Sequence, residues 1–176
     1  MSVTVNVIGA GLAGCEAAWR LAQEGINVRL YEMKPEKFSP AHKYGGFAEL
    51  VCSNSLKAAR LESAAGLLKY EMEHLGSLTV PCAKENSVEA GGALAVDREK
   101  FSDCVTEKIR SHPLIEVVGG EVTALPDGIV IIATGPLTSG AMADTIKQLC
   151  GEGLSFYDAA APIVTYESLD LDKVFF

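Results

Sequence analysis

The sequence predicts an α/β fold, an open and mostly parallel sheet with helices on its faces and one small insertion. Three observations predict it. A β-branched run at 3–8 leads through glycines into an Ala- and Leu-rich stretch at 12–24, and a second strand-like run, Asn27–Glu32, follows at once. Two adjacent strands joined through a helix must run parallel and be covered, which their near-continuous apolar character fits. Helix-like and strand-like segments then keep alternating, as in an open α/β sheet rather than in segregated layers. Finally, 48% apolar residues in a chain of 176 are enough for the packed core of one ordinary domain.

Taken in order, the first helix ends at Gly25, placed as a C-terminal cap. Residues 33–55 hold two prolines, the pair Gly45-Gly46 and little periodicity. That is too long for an ordinary connection and reads as a site loop. Ala64, Leu67, Leu68, Met72 and Leu75 recur at helical spacing and predict an amphipathic helix that Gly76 ends. Residues 77–96 show no period and read as an irregular insertion. A helix is expected over 97–111, stopping before Pro113. Strands are expected at 115–118 and 121–125, separated by Gly119-Gly120, and a buried strand at 129–133. A helix over 138–149 capped by Gly151 and a short strand at 155–158 complete the pattern. Without repeats, low-complexity tracts or a linker, residues 1–176 read as one domain.

Bulk properties exclude several classes. No stretch approaches eighteen uninterrupted apolar residues, and the start lacks a basic segment followed by an apolar one, so no membrane association and a cytoplasmic location are expected. The five cysteines are scattered without a C-x-x-C pair, so no metal site is expected and reduced thiols are. Fifteen basic against 23 acidic residues give a net charge of −8, which argues against a self-sufficient RNA-binding module. The ending, YESLDLDKVFF, stops on an apolar pair without a closing helix or polar tail, as expected of the amino-terminal portion of a longer protein.

Gly9, Ala10, Gly11, Leu12, Ala13 and Gly14 fit G-x-G-x-x-G directly after one strand and at the opening of one helix. Gly9 permits the turn, Gly11 lets backbone approach a pyrophosphate, and Gly14 allows close packing of helix on strand, with free N–H groups of the helix start facing the anion. Alone, the motif would also serve as a small-residue turn. Glu32 ends the second strand eighteen positions after Gly14, close to the roughly 20-residue spacing at which an acid accepts hydrogen bonds from a ribose diol. An acid there repels a 2′-phosphate. The run from Ile129 through Ala133, Thr134 and Gly135 is similar to the hydrophobic strand followed by A-T-G of flavoproteins with two dinucleotide sites. Together these features favour FAD over NAD as the resident cofactor and a Rossmann-like FAD-binding domain as the fold.

Longer blocks carry a more specific resemblance. Residues 47–56, FAELVCSNSL, 88–98, VEAGGALAVDR, 133–139, ATGPLTS, and 156–164, FYDAAAPIV, resemble those of the TrmFO family within the GidA-like flavoproteins, and they span nearly the whole chain. GidA-like relatives outside TrmFO differ in the FAELVCSNS block. The resemblance implies a folate-dependent tRNA (uracil-5-)-methyltransferase. In that family NAD(P)H reduces FAD, 5,10-methylenetetrahydrofolate donates a one-carbon unit, and the T-loop uracil of tRNA becomes 5-methyluracil. It also implies two functional cysteines, of which Cys52 matches the first, while the second falls beyond Phe176 in the family's order. On this reading the isolated chain is the FAD-binding part and is inactive alone. Two other readings share the glycine motif: an NAD(P)H-dependent flavin oxidoreductase and a non-catalytic FAD-binding fragment.

The remaining chemistry-bearing residues read more plainly. Cys52 sits among Ser53, Asn54 and Ser55 in a loop, which suits function better than packing. Cys15, under the glycine turn, reads as packing, and Cys82, Cys104 and Cys150 are assigned no chemistry. His42 and His74 read as surface residues. Lys34, Lys37, Lys43, Lys57 and Arg60 form the one basic concentration, suited to RNA phosphate or a folate tail, or simply to a solvated face. Asp97 and Arg98, within the 88–98 block, read either as flanking the flavin or as a helix-starting acid and an exposed arginine. Oligomeric state is not legible.

Overall fold

Val5 and Val7 stand at the centre of the molecule because their strand is flanked on both sides. In the computed structural model, which describes residues 3–151 and 170, β1 (Thr4–Ile8), α1 (Leu12–Gln23) and β2 (Asn27–Glu32) form the expected β-α-β unit. β1 pairs in parallel with β2, Val5 opposite Val28 and Val7 opposite Leu30, and on its other side with β7 (Ile129–Ile132), Val5 opposite Ile129. β2 pairs in parallel with β6 (Ile115–Gly119), so the main sheet has the order β6-β2-β1-β7 and every pairing in it is parallel.

Two helices cover this sheet with complementary surfaces. α1 turns Cys15, Ala18 and Ala22 inward, small residues that let its axis lie close to the strands. α4 (Arg98–Ser111) turns Phe101, Val105 and Ile109 inward at four-residue spacing, all fully buried. Asp97 caps α4, its side chain accepting from the N–H of Lys100, as its place in the sequence suggests. The two helices and the sheet share one core with Leu30, Phe47 and Val96.

Residues 77–96 are not irregular. They carry α3 (Thr79–Glu85), β4 (Ser87–Val88) and β5 (Ala93–Val96), and β5 pairs antiparallel with β4 and with β3 (Ser55–Ala58) in a second, three-stranded sheet. Leu78, Val80, Ala83 and Val96 are buried. Periodicity misses such a segment because its helix has seven residues and its strands two and four, too short to display a repeat. The start of α3 is held by one side chain of α1: the Glu16 carboxylate accepts from the N–H groups of Leu78 and Thr79 and from the hydroxyls of Ser77 and Thr79.

Four further expectations are corrected. Residues 121–125 form no strand; the chain there is irregular and returns to the sheet only at β7. β7 is not fully buried, with Ile129 and Ile132 exposed, because among the described residues it lies at the sheet edge and pairs only with β1. The apolar stripe of α2 (Ala64–His74) is not its packed face: Leu67, Leu68 and Leu75 are exposed and Gly66 is the buried residue. The last helix, α5 (Gly140–Cys150), starts two residues later than its sequence suggests. The strand expected at 155–158 and the block at 156–164 lie outside the described residues.

Close packing of α1 gives a test. A Cβ on Gly14 would lie 1.7 Å from the carbonyl oxygen of Gly9, a contact that only a shift of helix or turn can relieve. Alanine has the better helix propensity by about 1 kcal/mol. The clash should outweigh it, so Gly14→Ala is expected to lower unfolding free energy by about 1–3 kcal/mol, as overpacking does. Urea denaturation measures it, and equal or greater stability would contradict the packing described.

Candidate functional site

The C-terminal ends of β1, β2 and β7 converge at one end of the sheet, and the predicted cofactor residues gather there. Gly9 takes φ +100°, and a Cβ on it would stand 2.6 Å from the carbonyl oxygen of Ala133, so the turn after β1 passes directly over the start of the Thr134-Gly135 segment. Gly11 caps α1 without a side-chain hydrogen bond, and a Cβ there would meet nothing within 4 Å. Its neighbours Leu12 and Ala13 are exposed. The opening of α1 therefore presents backbone to open space, with N–H groups that no side chain caps and a positive dipole end.

Glu32 is buried and occupied. One carboxylate oxygen accepts from the Ala10 N–H at 2.7 Å and the other from the Lys34 N–H at 2.9 Å. The acid at the end of β2 thus clamps the glycine turn to the following loop, a role its spacing alone does not suggest. Each carboxylate oxygen has a second lone pair, so these bonds leave acceptor capacity for a ribose diol.

The long loop, residues 33–54, is built rather than loose. Phe47, Ala48 and Leu50 are buried. Ala48 has left-handed backbone, φ +49°, and donates its N–H to the Ala10 carbonyl at 2.9 Å, joining the loop to the glycine turn. The Phe47 N–H donates to Thr106 Oγ1, and its carbonyl accepts from Ser102. Lys34 departs from its reading as part of a solvated basic patch. It is buried, its ammonium donating to the carbonyls of Tyr44 and Gly46 and pairing with Glu49 at 3.3 Å. Burial pushes the Glu49 carboxyl up, but N–H groups of Lys43 and Tyr44 and the Lys34 ammonium outweigh it and hold the group below the usual carboxylate range. Lys37 is tied to Glu121.

Four residues beyond the docked Ala48, Cys52 is exposed. Its loop returns to β5 through Asn54, whose carbonyl accepts from the Val96 N–H and whose amide donates to the Val96 carbonyl. Cys15 is the opposite case: buried, with its thiol donating to the Ala10 carbonyl, and pushed far up by burial and then by Glu32 and Glu16. It packs, as expected, and is unsuited to act as a thiolate nucleophile at neutral pH. Cys82 lies in α3 rather than in irregular chain. His42 bonds Ser39 through Nδ1, and the His74 ring lies 4.0 Å from that of Tyr70, tilted by 45°.

Sequence reasoning missed the cleft beside this convergence. A space of about 1060 Å³ opens between residues 33–40 and 135–147, lined by Met33, Phe38, Gly135, Leu137, Asp144 and Ile146 among others. Its walls follow directly on β2 and β7, the crevice beyond the carboxyl ends of the strands where open α/β sheets take ligands. That position relative to the strand ends is the one sequence signal for it. Thr134 and Thr138 bond each other at 2.6 Å, and Thr138 also bonds the Gly135 carbonyl, which shapes the turn at its rim.

The Lys34–Glu49 pair yields the next prediction. Lys34→Met should cost about 3–5 kcal/mol because Glu49 stays buried without its cation. Adding Glu49→Gln should recover much of that loss, as urea unfolding of both variants measures; equal losses would mean that the pair is not coupled. Because the folded-state pKa of Glu49 is depressed, its contribution is complete above its unfolded value of about 4.3 and fades as pH falls through the lower folded one. Glu49→Gln alone should therefore flatten the acid limb of stability below about pH 5.

Known proteins resemble the chain along its length. The family model described as Glucose inhibited division protein A matches residues 4–176. A methylenetetrahydrofolate--tRNA-(uracil-5-)-methyltransferase TrmFO from Pelotomaculum thermopropionicum is 64% identical over 174 residues, 98% of this chain and 40% of that protein. The protein of the same name from Bacillus licheniformis is 61% identical over 176 residues, 99% of this chain and 41% of its own length. The chain thus spans about two fifths of the curated relatives it matches. Among solved structures, the GidA-related protein from Thermus thermophilus is 16% identical with a TM-score of 0.42, over 73% of this chain and 43% of that one. The amino acid oxidase NikD is 14% identical with a TM-score of 0.46, over 78% and 53%. The resemblance carried by the sequence blocks is met by these TrmFO relatives, and the match of 4–176 to the family model shows that the chain belongs to the Glucose inhibited division protein A family.

Proposed function

We propose that this chain is the FAD-binding part of an enzyme that transfers a one-carbon unit from 5,10-methylenetetrahydrofolate to the T-loop uracil of tRNA, with NAD(P)H as reductant. The observation that carries the reading is the docking of Ala48 on Ala10. It sets the FAELVCSNS segment, with an exposed Cys52, against the glycine turn of a dinucleotide-binding fold. A flavin oxidoreductase needs the turn alone; an exposed thiol tied to it suits a group transfer. The 64% and 61% identical relatives, both named methylenetetrahydrofolate--tRNA-(uracil-5-)-methyltransferase, support the substrate pair.

The residues present fit a flavin dinucleotide. Gly11 leaves open the space that a pyrophosphate needs, and the uncapped N–H groups of α1 supply its anion contacts. Glu32 keeps acceptor capacity for the adenosine ribose, and the Thr134-Gly135 turn borders the adjoining cleft. Bound there, FAD supplies electron transfer from NAD(P)H to the one-carbon unit. The protein's own part is to hold that cofactor through backbone, to exclude water with the docked loop, and to present the Cys52 thiol as a nucleophile of the transfer. The resemblance implies a second cysteine outside these 176 residues, and the chain spans about two fifths of its relatives, so the complete reaction is proposed only for a longer protein that carries both.

Two variants of that longer protein separate binding from chemistry. Gly11→Val should fold, since a Cβ there meets no atom of the protein, yet lose bound flavin because the side chain fills the pyrophosphate space. The ratio of flavin absorbance to protein after gel filtration measures this, and an unchanged ratio in a folded variant removes the turn from the site. Cys52→Ala should keep its flavin and its reduction by NAD(P)H while losing on the order of 10³-fold or more of methyl incorporation into tRNA. Normal incorporation by the folded variant would end the nucleophile assignment. Reductase turnover without folate dependence in the unaltered protein would favour the oxidoreductase reading.

A further inference from the structure

Two cysteines outside this site meet in the core. Cys82 of α3 and Cys104 of α4 lie with their sulfurs 2.9 Å apart, the Cys104 thiol donating to Cys82. No other pair among the five thiols is hydrogen-bonded: Cys15 is committed to the Ala10 carbonyl, and Cys52 and Cys150 stand exposed on separate segments. The two members of the pair differ in access, Cys82 being fully buried and Cys104 half-buried. Beside them, Glu85 Oε2 lies 3.4 Å from the Cys104 sulfur, and the Lys108 ammonium pairs with both oxygens of that carboxylate.

We propose that Cys82 and Cys104 are an oxidation site, a dithiol that hydrogen peroxide converts into one intramolecular disulfide joining α3 to α4. The half-buried Cys104 reacts first. Its sulfur attacks the peroxide, an S–O bond forms, the O–O bond breaks and water leaves, so that Cys104 becomes a sulfenic acid and the peroxide is reduced. Cys82 then attacks the Cys104 sulfur; the S–S bond forms, the S–O bond breaks, and the hydroxide departs with the Cys82 proton as a second water. Two thiols have lost two electrons and two protons to one hydrogen peroxide. Burial, then the bond from Cys104, pushes the Cys82 thiol up to about 12, which fits the order: the half-buried Cys104 meets the peroxide first, and the buried Cys82 gives up its proton only as it attacks the sulfur already in contact with it. The sulfurs need to approach by only about 1 Å to reach the 2.03–2.05 Å of a disulfide.

The site also has leverage. The link closes a loop containing β4 and β5, between a helix anchored to α1 by Glu16 and the helix whose Ser102 and Thr106 hold Phe47 of the site loop. Cross-linking should restrict the unfolded chain and raise the thermal midpoint by several degrees.

Intact mass and peptide mapping after a brief stoichiometric hydrogen peroxide treatment test this on the purified protein. The expected product is 2 Da lighter (two hydrogens lost), monomeric, and reversed by dithiothreitol. The linked peptides should contain Cys82 and Cys104, with Cys52 and Cys150 still alkylated. Cys104→Ser, a near-isosteric change at the half-buried position, should fold and lose that product. Addition of one, two or three oxygens at Cys104 without a link, cross-links through Cys52 or Cys150, or full alkylation of Cys82 and Cys104 after treatment would each overturn the proposal.

Discussion

Everything at the strand ends depends on how little room the backbone of Gly9 leaves. The turn passes against Ala133 on one side and against α1 on the other, so close that a Cβ on Gly9 would stand 2.6 Å from one carbonyl oxygen and a Cβ on Gly14 1.7 Å from another. This clearance fixes the direction in which α1 leaves β1. It thereby aims the uncapped first turn of α1 at the open space beside Gly11 and sets β7, with Thr134 and Gly135, next to the turn. Side chains contribute clamps rather than the cradle: Glu32 and Ala48 both grip Ala10, one by its N–H and the other by its carbonyl.

From that anchor a continuous set of contacts runs outward. Ala10 holds Ala48, the buried Lys34–Glu49 pair stiffens the loop behind it, and α4 receives Phe47 through Thr106 and Ser102. On the other side Glu16 of α1 fixes the start of α3. The exposed Cys52 and the open, uncapped backbone at Gly11 are therefore both held by packed, hydrogen-bonded supports. Such support is what a site needs when one part binds an anion and another presents a reactive group.

Much of this was legible in the sequence, and the failures have physical causes. The β-α-β unit, α4 and the glycine turn carry strong local signals: β-branched runs, four-residue apolar spacing, a capping aspartate and glycines where a positive φ or close approach requires them. The second sheet was hidden because its strands are two to four residues long and pair across gaps in sequence. Lys34 was misplaced because a lysine among polar loop residues looks solvated until its partner Glu49, fifteen positions away, is seen beneath it. The α2 stripe misled because its leucines repeat at helical spacing but do not face the core. Nothing in an alanine announces the left-handed turn of Ala48 on which the loop docks.

The central claim is that one binding event engages the glycine turn and the docked loop together. Amide hydrogen exchange of the flavin-free protein, compared with and without added FAD, tests it most directly. Binding at the turn should slow exchange at residues 11–14 and, through the Ala48 and Glu32 clamps, at 33–36 and 47–50, while leaving exposed α2 unchanged. FAD binding without protection at 11–14, or protection confined to a different face of the sheet, would contradict the account.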